Sequence, residues 1–137
     1  MEQKERDRLI DEAINIAARA DDLAHLVRVA SRFEGGSTVG LAAWLHDSIE
    51  DGYSTAEELR ELGFPEQVIQ NVLVVSRRDG EQYFDYIERV RDSGNEEAQA
   101  IKIADLRVNL ARAKVDRFSL VSRYEKALRM MGAVPIP

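Results

Sequence analysis

No cysteine occurs in the 137 residues. That excludes disulfides and thiolate zinc sites, so any metal must be held by His, Asp or Glu. Proline is scarce at three and glycine sparse at eight. No stretch alternates apolar with polar residues, so the raw material of strands and hairpins is missing. No apolar run approaches the roughly 20 residues of a membrane span, and no membrane partner is expected. A basic surplus is absent too: 19 Lys and Arg stand against 25 Asp and Glu, a net charge of −6. Binding a nucleic-acid polymer relies on a cationic surface to neutralise phosphates, so that class is disfavoured. A phosphorylated small molecule would need a local cation or arginine cluster instead. The charged opening MEQKERDRLIDEA reads as neither signal nor transit peptide, and a cytoplasmic protein is the expectation.

What is present reads as helix throughout: an all-α chain, residues 1–137 forming one domain, a compact bundle of about eight helices. A first helix runs from about Glu5 to Arg19. Asp21 or Asp22 caps a second, carrying Leu23, Leu26, Val27, Ala30 and Phe33, with His25 at the edge of that stripe. Gly35-Gly36 ends it, and Ser37 or Thr38 starts a third that runs on to Gly52-Tyr53. Ser54-Thr55-Ala56-Glu57 matches a capping box, and Pro65 suits the first turn of the next helix. A basic loop, Ser76-Arg77-Arg78-Asp79-Gly80, precedes a sixth helix with Tyr83, Phe84, Tyr86, Ile87 and Val90. Asn95 caps a long seventh helix to about Lys114, and a last one spans about Arg117 to Met131. The Val134-Pro135-Ile136-Pro137 tail reads as extended.

The chain is organised around Trp44-Leu45-His46-Asp47-Ser48-Ile49-Glu50-Asp51. It puts three carboxylates and one of only two histidines into two turns. As a helix, it sets His46 beside Glu50, and Asp47 beside Glu50 and Asp51. Carboxylates so crowded repel unless a cation or water separates them. Leu41, Ala42, Leu45 and Ile49 form a core-facing stripe leading straight into His46-Asp47. A metal site and a solvated acidic helix end are both compatible with this octapeptide.

The seventh helix is apolar almost all round: Ile101, Ile103, Ala104, Leu106, Val108, Leu110, Ala111. Asp105 sits in its middle, where an isolated carboxylate must protonate, pair or bind a metal. Lys102 and Arg107 are neighbours in sequence but read as lying off its face. Pairing with Arg28 or Arg32 of the second helix is the alternative to ligation. If His25, His46, Asp47 and Asp105 converge, their mixed nitrogen and oxygen set suits Mn²⁺, Fe²⁺ or Mg²⁺ about as well as Zn²⁺.

The order His25, His46-Asp47, Asp105 on helices resembles the HD phosphohydrolase superfamily. His46-Asp47-Ser48-Ile49-Glu50-Asp51 is similar to the His-Asp-x-x-Glu-Asp motif of RelA/SpoT-like alarmone hydrolases. Lys102-Ile103-Ala104-Asp105-Leu106-Arg107-Val108-Asn109 is similar to their Lys-(Leu/Ile)-Ala-Asp-x-x-x-Asn segment. The resemblance implies an HD-domain fold and a divalent metal, Mn²⁺ first, on His25, His46, Asp47 and Asp105. It further implies that Glu50 and Asp51 position or deprotonate the attacking water, and that Asn109 contacts the nucleotide sugar. The implied activity is hydrolysis of a phosphate or pyrophosphate ester of a nucleotide or (p)ppGpp-type substrate.

The chain departs from that family at the basic, glycine-containing loop before the first metal histidine. Ala17-Ala18-Arg19-Ala20-Asp21-Asp22 stands in its place, and Leu26, not proline, follows His25. Arg77, Arg78, Tyr83 and Tyr86 are candidates for phosphate and base contacts in its stead. Their alternative is a turn followed by core aromatics. The competing functions are a 5′-nucleotidase-type monophosphate hydrolase, a non-catalytic metal- or nucleotide-binding regulatory module, and a metal-free helical interaction domain. The substrate is left open, as is homo-oligomerisation.

Overall fold

The computed structural model describes residues 1–134, so all but Val134 of the expected extended tail lies outside the described residues. Eight α-helices and one 3₁₀ turn make up the regular structure of these residues, which contain no strand. In chain order the helices are α1 (Gln3–Ala17), α2 (Leu23–Ala30), α3 (Thr38–Leu45), α4 (Ala56–Glu61), α5 (Glu66–Val75), α6 (Tyr83–Arg91), α7 (Glu96–Asp116) and α8 (Val121–Met130). The 3₁₀ turn Phe118–Leu120 takes the first turn expected of the last helix. No helix among the described residues is long and apolar enough to cross a membrane.

The caps follow side-chain chemistry. Asp22, Ser37 and Asn95 accept the free N–H groups of His25, Gly40 and Ala98 respectively. The expected capping box is displaced by one residue. Thr55, not Ser54, caps α4 by accepting from Glu58 N, while the Ser54 hydroxyl donates to Ser48 Oγ at 2.7 Å. Glu58 does not return the bond, because Arg19 holds its carboxylate.

Apolar patterning sorts the helices into two buried clusters. Leu9, Ile16, Leu41, Leu45, Leu59, Ile69 and Ile101 anchor the larger, and Tyr86, Ile87, Leu106, Leu110 and Leu128 the smaller. Among the described residues only α7 supplies fully buried side chains to both, through Ala98, Ile101, Ala104 and Val108 on one side and Leu106 and Leu110 on the other. It is therefore apolar nearly all round because it is wedged between two cores. The larger core wraps α3, which touches α1, α2, α5 and α7.

The approach of the chain into α3 is tight. A Cβ on Gly40 would lie 2.1 Å from the Glu34 carbonyl oxygen, a contact no side-chain motion relieves. Gly40→Ala should therefore destabilise the fold by about 2 kcal/mol or more. Thermal unfolding checks this, and an unchanged midpoint would contradict the close packing.

A candidate metal centre between α2, α3 and α7

α3 ends at Leu45, earlier than expected. The run from His46 to Tyr53 turns rather than continuing as helix, because its hydrogen bonds go elsewhere. His46 Nδ1 lies 2.7 Å from Ala43 O, taking one of the helix's last free carbonyls. The Ser48 carbonyl accepts from both Tyr53 N and Ser54 N at 3.0 Å, and Gly52 at φ 77° allows the reversal. One i, i+4 bond survives, from Asp51 N to Asp47 O at 2.9 Å, with two tighter i, i+3 bonds from Ser48 N to Leu45 O at 2.8 Å and from Gly52 N to Ile49 O at 3.1 Å. Glu50 reaches away toward the loop after α5. Its Oε1 accepts the Arg77 N–H across the cleft at 2.6 Å.

The two histidines meet. His25, on α2, is 7% exposed and His46 is 3% exposed, with ring centroids 5.5 Å apart. His25, His46 and Asp47 each offer a donor atom, all within 4.8 Å of one another, a group that could hold a divalent ion. Asp105, which is not one of that group, approaches its two histidines from α7. Its Oδ1 lies 2.8 Å from His25 Nε2 and 3.3 Å from His46 Nε2, while Asp47 Oδ1 lies 3.4 Å from His46 Nε2. Bonds of about 2.1 Å to a shared ion place neighbouring donors about 3.0–3.4 Å apart. The separations at His46 fall at that spacing, and the His25–Asp105 pair is slightly shorter.

Asp105 is not paired with α2 arginines. Arg28 and Arg32 line a groove of about 580 Å³ with Arg112, on the outer side of α2 and α7. Nor does Lys102 lie off its face: Lys102 Nζ donates to Asp105 Oδ2 at 2.8 Å with both groups buried. The pair is three residues apart, a spacing that shares a helix face. Arg107 instead lies 3.5 Å from Val134 O through its guanidinium.

The charges shift accordingly. Burial opposes ionisation of Asp105, but the Lys102 charge and the bonds from His25 and His46 hold its pKa well below the usual carboxylate range. Burial also disfavours charged His46, yet Asp47 and Asp105 raise its pKa to about 9. For Glu50 and Asp51 burial is the largest influence and pushes both upward. Asp47 adds to each, while the Arg77 N–H and Lys102 pull Glu50 back.

The remaining candidates divide. Asn109 Nδ2 donates to Asp105 Oδ1 at 3.3 Å, so it braces a candidate ligand. Arg77 and Arg78 line a groove of about 590 Å³ shared with Glu50 and Arg89. Tyr86 is core, its hydroxyl donating to Val75 O. Tyr83 lies between Arg77 and Arg123, 5.6 and 4.8 Å from its ring centre, and burial raises its pKa to about 12.

Lys102 was expected off the face of Asp105 and lies on it, and Tyr53 escaped the sequence reading. The hydroxyls of Tyr53 and Tyr83 are buried without a hydrogen-bond partner among the described residues. The negative charges of Asp47 and Asp51 reach Tyr53, while the Lys102 ammonium and the Asp105 carboxylate act on Tyr83 with opposite sign. Each hydroxyl carries the cost of a buried polar atom without a partner. The i, i+3 spacing could have revealed Lys102, whereas nothing local marks Tyr53. A scan against protein-family models finds no match to this chain, and a search of curated proteins finds none either.

Proposed function

We propose that this chain is a divalent-metal-dependent phosphohydrolase acting on a phosphorylated nucleotide or an alarmone-like, (p)ppGpp-type compound. Mn²⁺ is the first choice of ion, with Fe²⁺, Mg²⁺ and Zn²⁺ as alternatives. One observation carries the reading. His46 spends Nδ1 on Ala43 O, so Nε2 faces the Asp47 and Asp105 oxygens beside His25. A neutral imidazole so oriented turns a lone pair toward two anions, and only a proton or a cation resolves that clash. The resemblance to HD phosphohydrolases supports the same conclusion.

A divalent ion held by His25, His46, Asp47 and Asp105 would supply Lewis acidity toward a phosphoryl oxygen and the attacking water. The chain's own residues do the rest. Glu50 gives Oε1 to the Arg77 N–H, which fixes the carboxylate and leaves Oε2 to take the proton from water. Its raised pKa moves it toward the range of a working general base. The loop bearing Arg77 and Arg78 borders the groove that Glu50 lines and offers guanidinium groups to phosphate.

The test is release of phosphate and pyrophosphate from a panel of nucleoside mono-, di- and polyphosphates, with and without Mn²⁺. Mn²⁺-dependent turnover is expected, and Glu50→Gln should cut kcat about 10²–10⁴-fold while still binding Mn²⁺. Turnover confined to monophosphates would select the 5′-nucleotidase alternative. Metal-independent turnover, or none on any substrate, removes the proposal.

A further inference from the structure

The Lys102–Asp105 pair carries more than charge balance. Asp105 has two oxygens, and they are used differently. Oδ1 faces both imidazoles and Asn109, whereas Oδ2 is taken by Lys102 Nζ at 2.8 Å. Lys102 is itself held in place. It is 8% exposed, and its ammonium rests 4.8 Å from the centre of the Tyr86 ring, a favourable seat for a desolvated cation. Tyr86 in turn is anchored by its hydroxyl on Val75 O. A lysine so confined has few other places to put its charge, and the Asp105 carboxylate cannot rotate without breaking the bond.

We propose that Lys102 is a positioning residue that reserves one oxygen of Asp105, so that this aspartate binds the ion through Oδ1 alone. The inference rests on the metal reading of the preceding section and adds what limits the coordination. A carboxylate free to use both oxygens fills two positions on an ion, and one held by an ammonium fills one. Four single-atom ligands leave about two of six octahedral positions for water or substrate oxygens. The ammonium also draws charge from the carboxylate, making it a weaker ligand than a free aspartate. Lys102 thereby trades metal affinity for open positions.

The trade sets this role apart from a purely structural one. In Lys102→Met, which keeps the apolar stem but removes a cation that repels the ion, Mn²⁺ should bind about tenfold more tightly, and the enhancement of water-proton relaxation by the bound ion should drop as a position closes. Lys102→Arg restores a cation against Oδ2 and should return both readings toward wild type. Unchanged or weaker Mn²⁺ binding by a folded Lys102→Met, with unchanged relaxation, overturns the inference. The wild-type chain tests it without any variant: relaxation that reports fewer than about two exchanging waters on bound Mn²⁺ also overturns it. Wild-type protein that takes up no Mn²⁺ removes the metal reading itself, so the two failures are distinct.

Discussion

Exchanging Asp105 for asparagine should strip the centre of metal and weaken the whole fold. In the native chain Asp105 Oδ1 stands against His25 and His46, and Oδ2 against Lys102. An amide is nearly the same size but carries no charge. On the proposed reading an ion bound here would lose an anionic ligand, and affinity should fall about 100-fold or more. Lys102 loses the only carboxylate within bonding distance among the described residues, yet it stays buried. Breaking one partner out of a buried pair costs about 3–5 kcal/mol, because the remaining charge is uncompensated. For a chain of this size that lowers the melting temperature by about 10 °C or more. Metal analysis after dialysis should then find far less than one ion per chain in Asp105→Asn, against about one in wild type. Retention of a full equivalent by the variant would place the ion elsewhere, and an unshifted melt would contradict the buried pair.

How much of this was legible in the sequence depends on the range over which each signal acts. The helices were, because apolar periodicity, Asn95 and Ser37 are local signals and the packing agrees with them, although α2 stops at Ala30, short of Phe33 and of the Gly35-Gly36 expected to end it. Asp105 stood out because a carboxylate inside an apolar helix is costly wherever the fold puts it. Two local readings failed for tertiary reasons. The octapeptide looked helical by composition, but the Ser48 carbonyl binds two later N–H groups and the helix stops at Leu45. The capping box slid to Thr55 because Ser54 is drawn inward to Ser48 and Glu58 outward to Arg19. The Glu50–Arg77 bond and the stray Tyr53 hydroxyl involve segments that only the folded chain brings together. Lys102 is a different case: helical spacing alone places it on Asp105, and its burial is what gives the contact weight.

Metal-free protein should lose stability as pH rises from 6.5 to about 9, and added metal should restore it most at the alkaline end. The sign follows from His46. Its folded pKa lies at about 9, against an ordinary 6.5, because Asp47 and Asp105 outweigh burial. A raised pKa means that the folded chain holds the proton more tightly than the unfolded one. The stabilisation is complete below pH 6.5 and disappears as the imidazolium deprotonates through about 9. At about 1.4 kcal/mol per pH unit, that interval amounts to roughly 3 kcal/mol. Asp105 acts at the other end. Its depressed pKa contributes stability above the ordinary carboxylate range that is lost as acid protonates it, so the metal-free optimum falls between those limits. On the proposed reading a cation would take the place of the His46 proton beside the same oxygens, so proton and metal would compete. Melting curves with EDTA and with excess Mn²⁺ should therefore run close together near pH 6 and separate progressively toward pH 8.5. A metal-free melting temperature that is flat or rising across that window would mean that His46 does not hold its proton against Asp47 and Asp105. The geometric basis for a cation at this corner would then be lost as well.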